Sequence, residues 1–211
     1  ILRCILLCES RFKKLFNTTV SDGFSGVYQI IPPECTVISR MRFEFPESPG
    51  FNIVDEAAVG RFAYLHQQVI ANLCPTVDSD LTCIVSTVPQ GETENGFFEE
   101  VYFQFPMIKV AVHTMVNQLV GTLRYCLNNS GMLDMLEVYP SNTIEDIISD
   151  DFYQKGLWPM PGSYLNGNLL TAAYVFEKIT EEQVQSQTIT GYPTDAYFSN
   201  FQIPDNSDYD N

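Results

Sequence analysis

Positive charge is what this sequence lacks most. Eleven Lys and Arg stand against 26 Asp and Glu in 211 residues, a formal net charge of −15. Proteins hold nucleic-acid backbones with Lys and Arg that displace counterions, so this balance excludes strong nucleic-acid binding by the chain alone. From Asn128 onward there are thirteen Asp or Glu and only Lys155 and Lys178. Any work near DNA must draw positive charge from partners or metal ions. Long apolar runs are missing as well: no stretch reaches the ~18 consecutive apolar residues of a membrane span. There are two histidines, His66 and His113. Neither has a second His or a Cys at ligand spacing, so both read as structural residues within apolar helical patterns. The Gly-containing segments GETENG and GSYLNGN lack the Lys and following helix of a phosphate loop. No Ser sits in a nucleophile elbow, and no Cys in a protease signature.

What remains is enough to fold. With 45% hydrophobic, 13% aromatic and 18% charged residues, the chain lies outside the disordered class. A domain of this length buries roughly 70% of the surface its unfolded chain would expose. The six cysteines Cys4, Cys8, Cys35, Cys74, Cys83 and Cys126 fit neither a zinc pattern nor a small secreted framework, and read as reduced core residues. Sequons at Asn17 and Asn128 gain meaning only in a secreted context. The opening ILRCILLC is short, has no small-residue cleavage site and is followed by Glu9, Arg11, Lys13 and Lys14, so it does not read as a signal peptide. Starting without Met, the chain reads as trimmed or as a segment of a longer polyprotein or multidomain protein.

Periodicity places the elements. Ile1, Ile5, Leu6, Phe12, Leu15 and Phe16 share one helical face. VYQII is a strand stopped by Pro32 and Pro33, and TVISRMRFEF (36–45) is another closed by Pro46. Asp55 caps a helix in which Ala58, Phe62, Leu65, Val69, Ile70 and Leu73 recur at helical spacing up to Pro75. LTCIVSTV and FFEEVYFQF are two strands of a hairpin joined by the eight residues PQGETENG, the second ended by Pro106. Val112, Met115, Leu119, Leu123 and Cys126 mark a second long helix to Asn128 and Asn129. A short helix at Thr143–Ile148, a Pro- and Gly-rich loop over 157–168 and the strand TAAYVFEKI follow, and Thr180 with Gln183 forms a capping box. The reading is α+β: a mixed or antiparallel sheet with two long helices packed on it, in one domain over 1–190. The segment from Gly191 is an acidic, aromatic tail. Its side chains over Tyr192–Asn211 either anchor another protein chain or pack along their own domain.

Two carboxylate pairs stand out: Glu44 with Glu47 at a strand end, and Asp150 with Asp151 before an aromatic-rich loop. Paired carboxylates hold divalent cations, and two such ions can align a nucleotide triphosphate. The same residues also read as solvated surface charge.

The order of MRFEFPE, a long helix, TCIVSTV, EEVYFQFPMIKV leading into a second helix, and SDDFYQKGLWPMPGSYLNG before TAAYVFE resembles the archaeo-eukaryotic primase domain. The likeness is to the primase-helicases of poxvirus-type and other large DNA viruses, and covers roughly residues 18–178. In that family a strand ends in two metal-binding aspartates separated by one residue. A later strand carries a phosphate-contacting histidine four positions before a proline. A third element supplies an aspartate, then an arginine and a lysine around a Gly-Ser turn. Here the first positions fall on Glu44 and Pro46, and the histidine position on Tyr102, four before Pro106. Asp150 or Asp151 lies near the third acid, while Trp158 and Leu165 stand about where the basic residues belong. The resemblance therefore implies a primase-like domain that has lost catalysis and acts inside the host cell, in a viral factory or a virion, as a scaffold or accessory surface of a replication protein. No cofactor is expected, and Mg²⁺ or Mn²⁺ enters at Glu44 and Glu47 only if the site is active. The alternative is a structural or assembly protein of a virion without enzymatic activity.

From charge alone, the isolated chain is expected to release duplex DNA at physiological salt. A fluorescence-anisotropy titration checks this, and salt-sensitive micromolar binding would refute it.

Overall fold

The computed structural model describes residues 28–48, 50–74, 80–94, 96–155, 157–159, 164–165 and 168–193. The helix expected over residues 1–16 lies outside them. Among the described residues no helix is long and apolar enough to cross a membrane.

Alternation in the sequence builds the central pair of strands. In β2 (Glu34–Phe45), Val37, Met41, Phe43 and Phe45 are buried on one side, while Arg40, Arg42 and Glu44 point to the other, as a period of two requires. β2 pairs antiparallel with β4 (Gly96–Ala111), and β4 with β3 (Cys83–Thr93). β8 (Thr171–Phe176) adds to β3, and the two residues of β9 (Tyr192–Pro193) add to β8. The sheet is five-stranded and antiparallel, in the order β2-β4-β3-β8-β9. The segment read as a tail thus begins inside the sheet, and its continuation lies outside the described residues. Two small ladders complete the strands. β1 (Tyr28–Ile30) pairs with β5 (Leu157–Pro159), and β6 (Tyr164–Leu165) with β7 (Asn168–Leu169).

Two expectations about prolines and turns are corrected. The β3–β4 loop is far shorter than eight residues, because the ladder runs on until Thr93 pairs with Gly96. Gly96 has φ +143°, and a Cβ there would lie 2.2 Å from the Phe45 carbonyl oxygen, so the close turn needs glycine. A register shift between Val88 and Gly91 takes Pro89 out of the ladder. Pro106 likewise does not end β4. The register jumps from Val37↔Phe105 to Thr36↔Lys109, so the residue without an N–H sits in a bulge.

Helix α1 (Glu56–Leu73) starts as expected: the Asp55 side chain accepts from the Ala58 N–H at 2.8 Å. Its buried stripe includes Val59, Phe62, Ala63, Val69 and Ile70, and Phe62 stacks on Phe43 of β2 with ring centroids 5.3 Å apart. Gln67, fully buried, donates to the carbonyls of Leu81 and Glu177 and accepts from the Ile179 N–H. One side chain thereby ties α1 to the chain entering β3 and the chain leaving β8. Helix α2 comprises Val112–Thr114, a π-helical turn over Met115–Leu119, and Val120–Ser130. It ends at Gly131 in the left-handed region, φ 67°. Met115, Leu119, Leu123 and Leu127 face the core, and Cys126 is half-buried.

β2 is an edge strand, and edges invite foreign strands. Its free backbone groups are taken by the segment after α2. Ser141 donates its N–H to the Glu44 carbonyl at 2.8 Å, and the Asn142 amide accepts from the Glu44 N–H and donates to the Arg42 carbonyl. Helix α3 (Ile144–Ile147), capped by Thr143, follows. From helix α4 (Asp151–Lys155) the Tyr153 hydroxyl reaches the Ile38 carbonyl. After β8, helix α5 (Glu181–Gln185) opens with the reciprocal Thr180–Gln183 capping box.

Truncating Phe62 (1% exposed) or Leu119 (4%) to Ala should cost about 2–5 kcal/mol through lost contacts and a cavity. Denaturant unfolding measures it. Losses below about 1 kcal/mol would show that these positions are not core.

Candidate functional site

The face of the sheet opposite α1 carries a polar row set by the β2–β4 register. Arg40 lies across from Tyr102, Arg42 from Glu100, and Glu44 from Phe98. Paired residues share a face, so all six side chains project together. Arg42 is the hub: Nε donates to Glu44 at 2.9 Å and Nη1 to Glu100 at 3.0 Å, while the guanidinium sits 4.1 Å over the Phe98 ring. The second Glu100 oxygen accepts the Tyr102 hydroxyl at 2.6 Å. Burial, then the neighbouring Glu100 charge, pushes the Tyr102 phenol well above its ordinary value, and Arg40 only partly opposes them. Tyr102 is therefore a neutral hydrogen-bond donor, without the basic nitrogen a histidine would offer.

The returning chain packs against this row at Tyr102 and near Phe98. Trp158 of β5, 4% exposed, meets Tyr102 edge-on with ring centroids 5.3 Å apart. At Gly91 on β3 a Cβ would lie 2.4 Å from the Phe98 ring and 2.7 Å from the Asn168 amide. The missing side chain is what lets β7 settle against Phe98. Glu100 is left 4% exposed, and Glu44, at the rim, keeps 42% of its side chain in solvent.

Of the residues singled out from sequence, Glu44 and Tyr102 do share one face. They are offset by four positions of ladder, roughly 13 Å along the strands, with Arg42 and Glu100 between them. Glu47 is exposed beyond the end of β2. Asp150 and Asp151 stand at the start of α4, beside the Ile38 end of β2. The Asp150 carbonyl accepts from the Tyr153 N–H, and its carboxylate lies 3.9 Å from Arg124. Asp151 is exposed. The two carboxylate pairs are thus at different places along β2. Among the described residues no group of three or more His, Cys, Asp or Glu is arranged to hold a metal ion.

Sequence reasoning missed Arg42, Glu99 and Glu100. The signal was the pair of adjacent glutamates inside FFEEVYFQF: consecutive strand residues face opposite sides, so a buried strand must hide one carboxylate on each. Glu99 is 3% exposed on the α1 side. Its two oxygens accept the N–H groups of Ile53 and Val54, each at 2.8 Å, anchoring the chain that enters α1. Burial raises its pKa against the lowering effect of those two bonds. Beside it lies a cavity of about 110 Å³ lined in part by Asp55, Glu56 and Tyr174. His66 and Ser39 form a second unexpected pair, with Nε2 and Oγ 3.0 Å apart. That is the spacing of a base and its nucleophile, yet they are 0% and 2% exposed. No substrate reaches them in this conformation.

A scan against protein-family models, a search of curated proteins and a search of solved structures each find no match to the chain.

Burial grades the polar row. Glu100→Ala strips Arg42 and Tyr102 of a desolvated acceptor and should cost about 3–5 kcal/mol. Glu44→Ala removes a half-solvated partner and should cost less than about 1 kcal/mol. Equal losses in urea unfolding would contradict this account.

Proposed function

We propose that this chain is a non-catalytic, primase-like domain that serves as a scaffold or accessory surface in a viral replication protein. One observation carries the reading. The face that would hold metal ions and phosphates in an active primase is occupied by its own charges: Arg42 is shared between Glu44 and Glu100, Tyr102 is bonded to Glu100, and Trp158 packs edge-on against Tyr102.

Phosphoryl transfer depends on positioned positive charge and on carboxylates left over to bind cations. In this row Glu44 and Glu100 already neutralise the arginine between them. Pro46 cannot ligate a metal, Tyr102 supplies a neutral donor where the resemblance places a histidine, and Trp158 puts an indole where it places a cation. The chain's acidity points the same way, since a net charge of −15 repels the phosphates of a template strand. An accessory domain works through protein partners. Exposed Tyr125 (71%) and Tyr139 (59%) offer such a partner aromatic anchors.

The test is incorporation of labelled nucleotide on a single-stranded template, with Mg²⁺ and then Mn²⁺, beside a Glu44→Ala control. No incorporation above the control is expected. Incorporation by the parent that disappears in the control would establish a live site and overturn the proposal.

A further inference from the structure

His66 sits where α1 meets the sheet, and both ring nitrogens are engaged. Nδ1 lies 2.7 Å from the Phe62 carbonyl one turn back, which fixes the proton there, so Nε2 accepts from the Ser39 hydroxyl of β2. The ring stacks on Phe103 of β4 with centroids 4.3 Å apart and lies 6.2 Å from the Phe105 ring. The groups that face it, Phe62 on α1, Ser39 on β2, and Phe103 and Phe105 on β4, carry no charge. The Cys83 thiol of β3, on the same side of the sheet, is held protonated by burial. Glu99 of β4 is engaged at the entry to α1. From α2, Arg124 is spent on the carbonyls of Ile148 and Glu145 and on Asp150.

We infer that His66 is an acid-sensitive pin: neutral, it fastens α1 to β2 through Ser39, and mildly acidic surroundings weaken the fold because the ring takes up a proton only once that joint has opened. An imidazolium here would be a buried charge with no carboxylate against it, and Nε2 would lose the lone pair that receives the Ser39 proton. Burial accordingly pushes the imidazole down to about 4, with the bond to the Phe62 carbonyl opposing. The sign follows. A depressed value contributes stability that is present above the unfolded imidazole's ~6.5 and is lost as pH falls towards the folded value. Glu99 works in the opposite direction, since a raised carboxylate favours the folded state at lower pH. A comparison between variants sharing Glu99 cancels it.

The experiment uses the full chain and has two arms. With only two histidines in the sequence, the imidazole resonances of His66 and His113 can be assigned with a His113→Gln variant and followed from pH 7.5 to 4.5. His66 should remain neutral as long as the fold persists, and titration in the ordinary imidazole range while folded would overturn the inference. In the second arm, urea unfolding compares the parent with His66→Gln, whose amide can still donate to Phe62 and accept from Ser39. Between pH 7.5 and 5 the parent's folding equilibrium constant should fall roughly 30-fold more than the variant's. Equal falls would overturn the inference. Should the variant fail to fold, the parent's titration decides alone.

Discussion

The antiparallel ladder between β2 and β4 is the constraint on which the rest of this structure depends. Along twelve residues β2 sends Val37, Ser39, Met41, Phe43 and Phe45 to α1 and Arg40, Arg42 and Glu44 to the other side, and the facing residues of β4 divide in the same way. Because the side-chain period is two, a slip of one residue would expose the phenylalanines and drive both arginines into the helix layer. The turn at Gly96 and the bulges around Pro106 and Pro89 hold the register. The edge bonds from Ser141, Asn142 and Tyr153 keep β2 from pairing elsewhere.

Given that register, the charged row has little freedom. Arg42 lies beside Glu44 and across from Glu100, so the geometry that makes the strand pair also makes the ion network. Desolvating such a network is unfavourable unless its charges find partners, and Arg42, Glu44 and Glu100 find them in one another.

The α1 side reaches polar satisfaction by another route, through backbone. Glu99 is held by two N–H groups and Gln67 by two carbonyls and an N–H, while His66 uses a carbonyl and a hydroxyl. Neutral Gln67 is indifferent to pH. His66 and Glu99 are ionisable groups without ionic partners, and burial moves each towards its uncharged form: the histidine downward, the glutamate upward. Stability therefore carries two opposed pH dependences: the histidine's weakens the fold as pH falls and the glutamate's weakens it as pH rises.

Local pattern was enough for the α+β class, the two long helices, the Asp55 cap, the Thr180–Gln183 box and the β3–β4 hairpin, because each rests on contacts within a few residues or on a strict period. What no local signal contained was which residue stands opposite which. The run of β4 through Pro106 depended on a bulge against β2, and the tight turn on a glycine pressed against Phe45. The hub at Arg42 required a partner 58 positions away in the chain, and the packing on Tyr102 required Trp158 to return from a third region. Residue type and period act between near neighbours, and determined the elements. Register and burial arise only when distant segments compete for one core, and they decided that the acids of β2 and β4 would be partners to arginine and tyrosine.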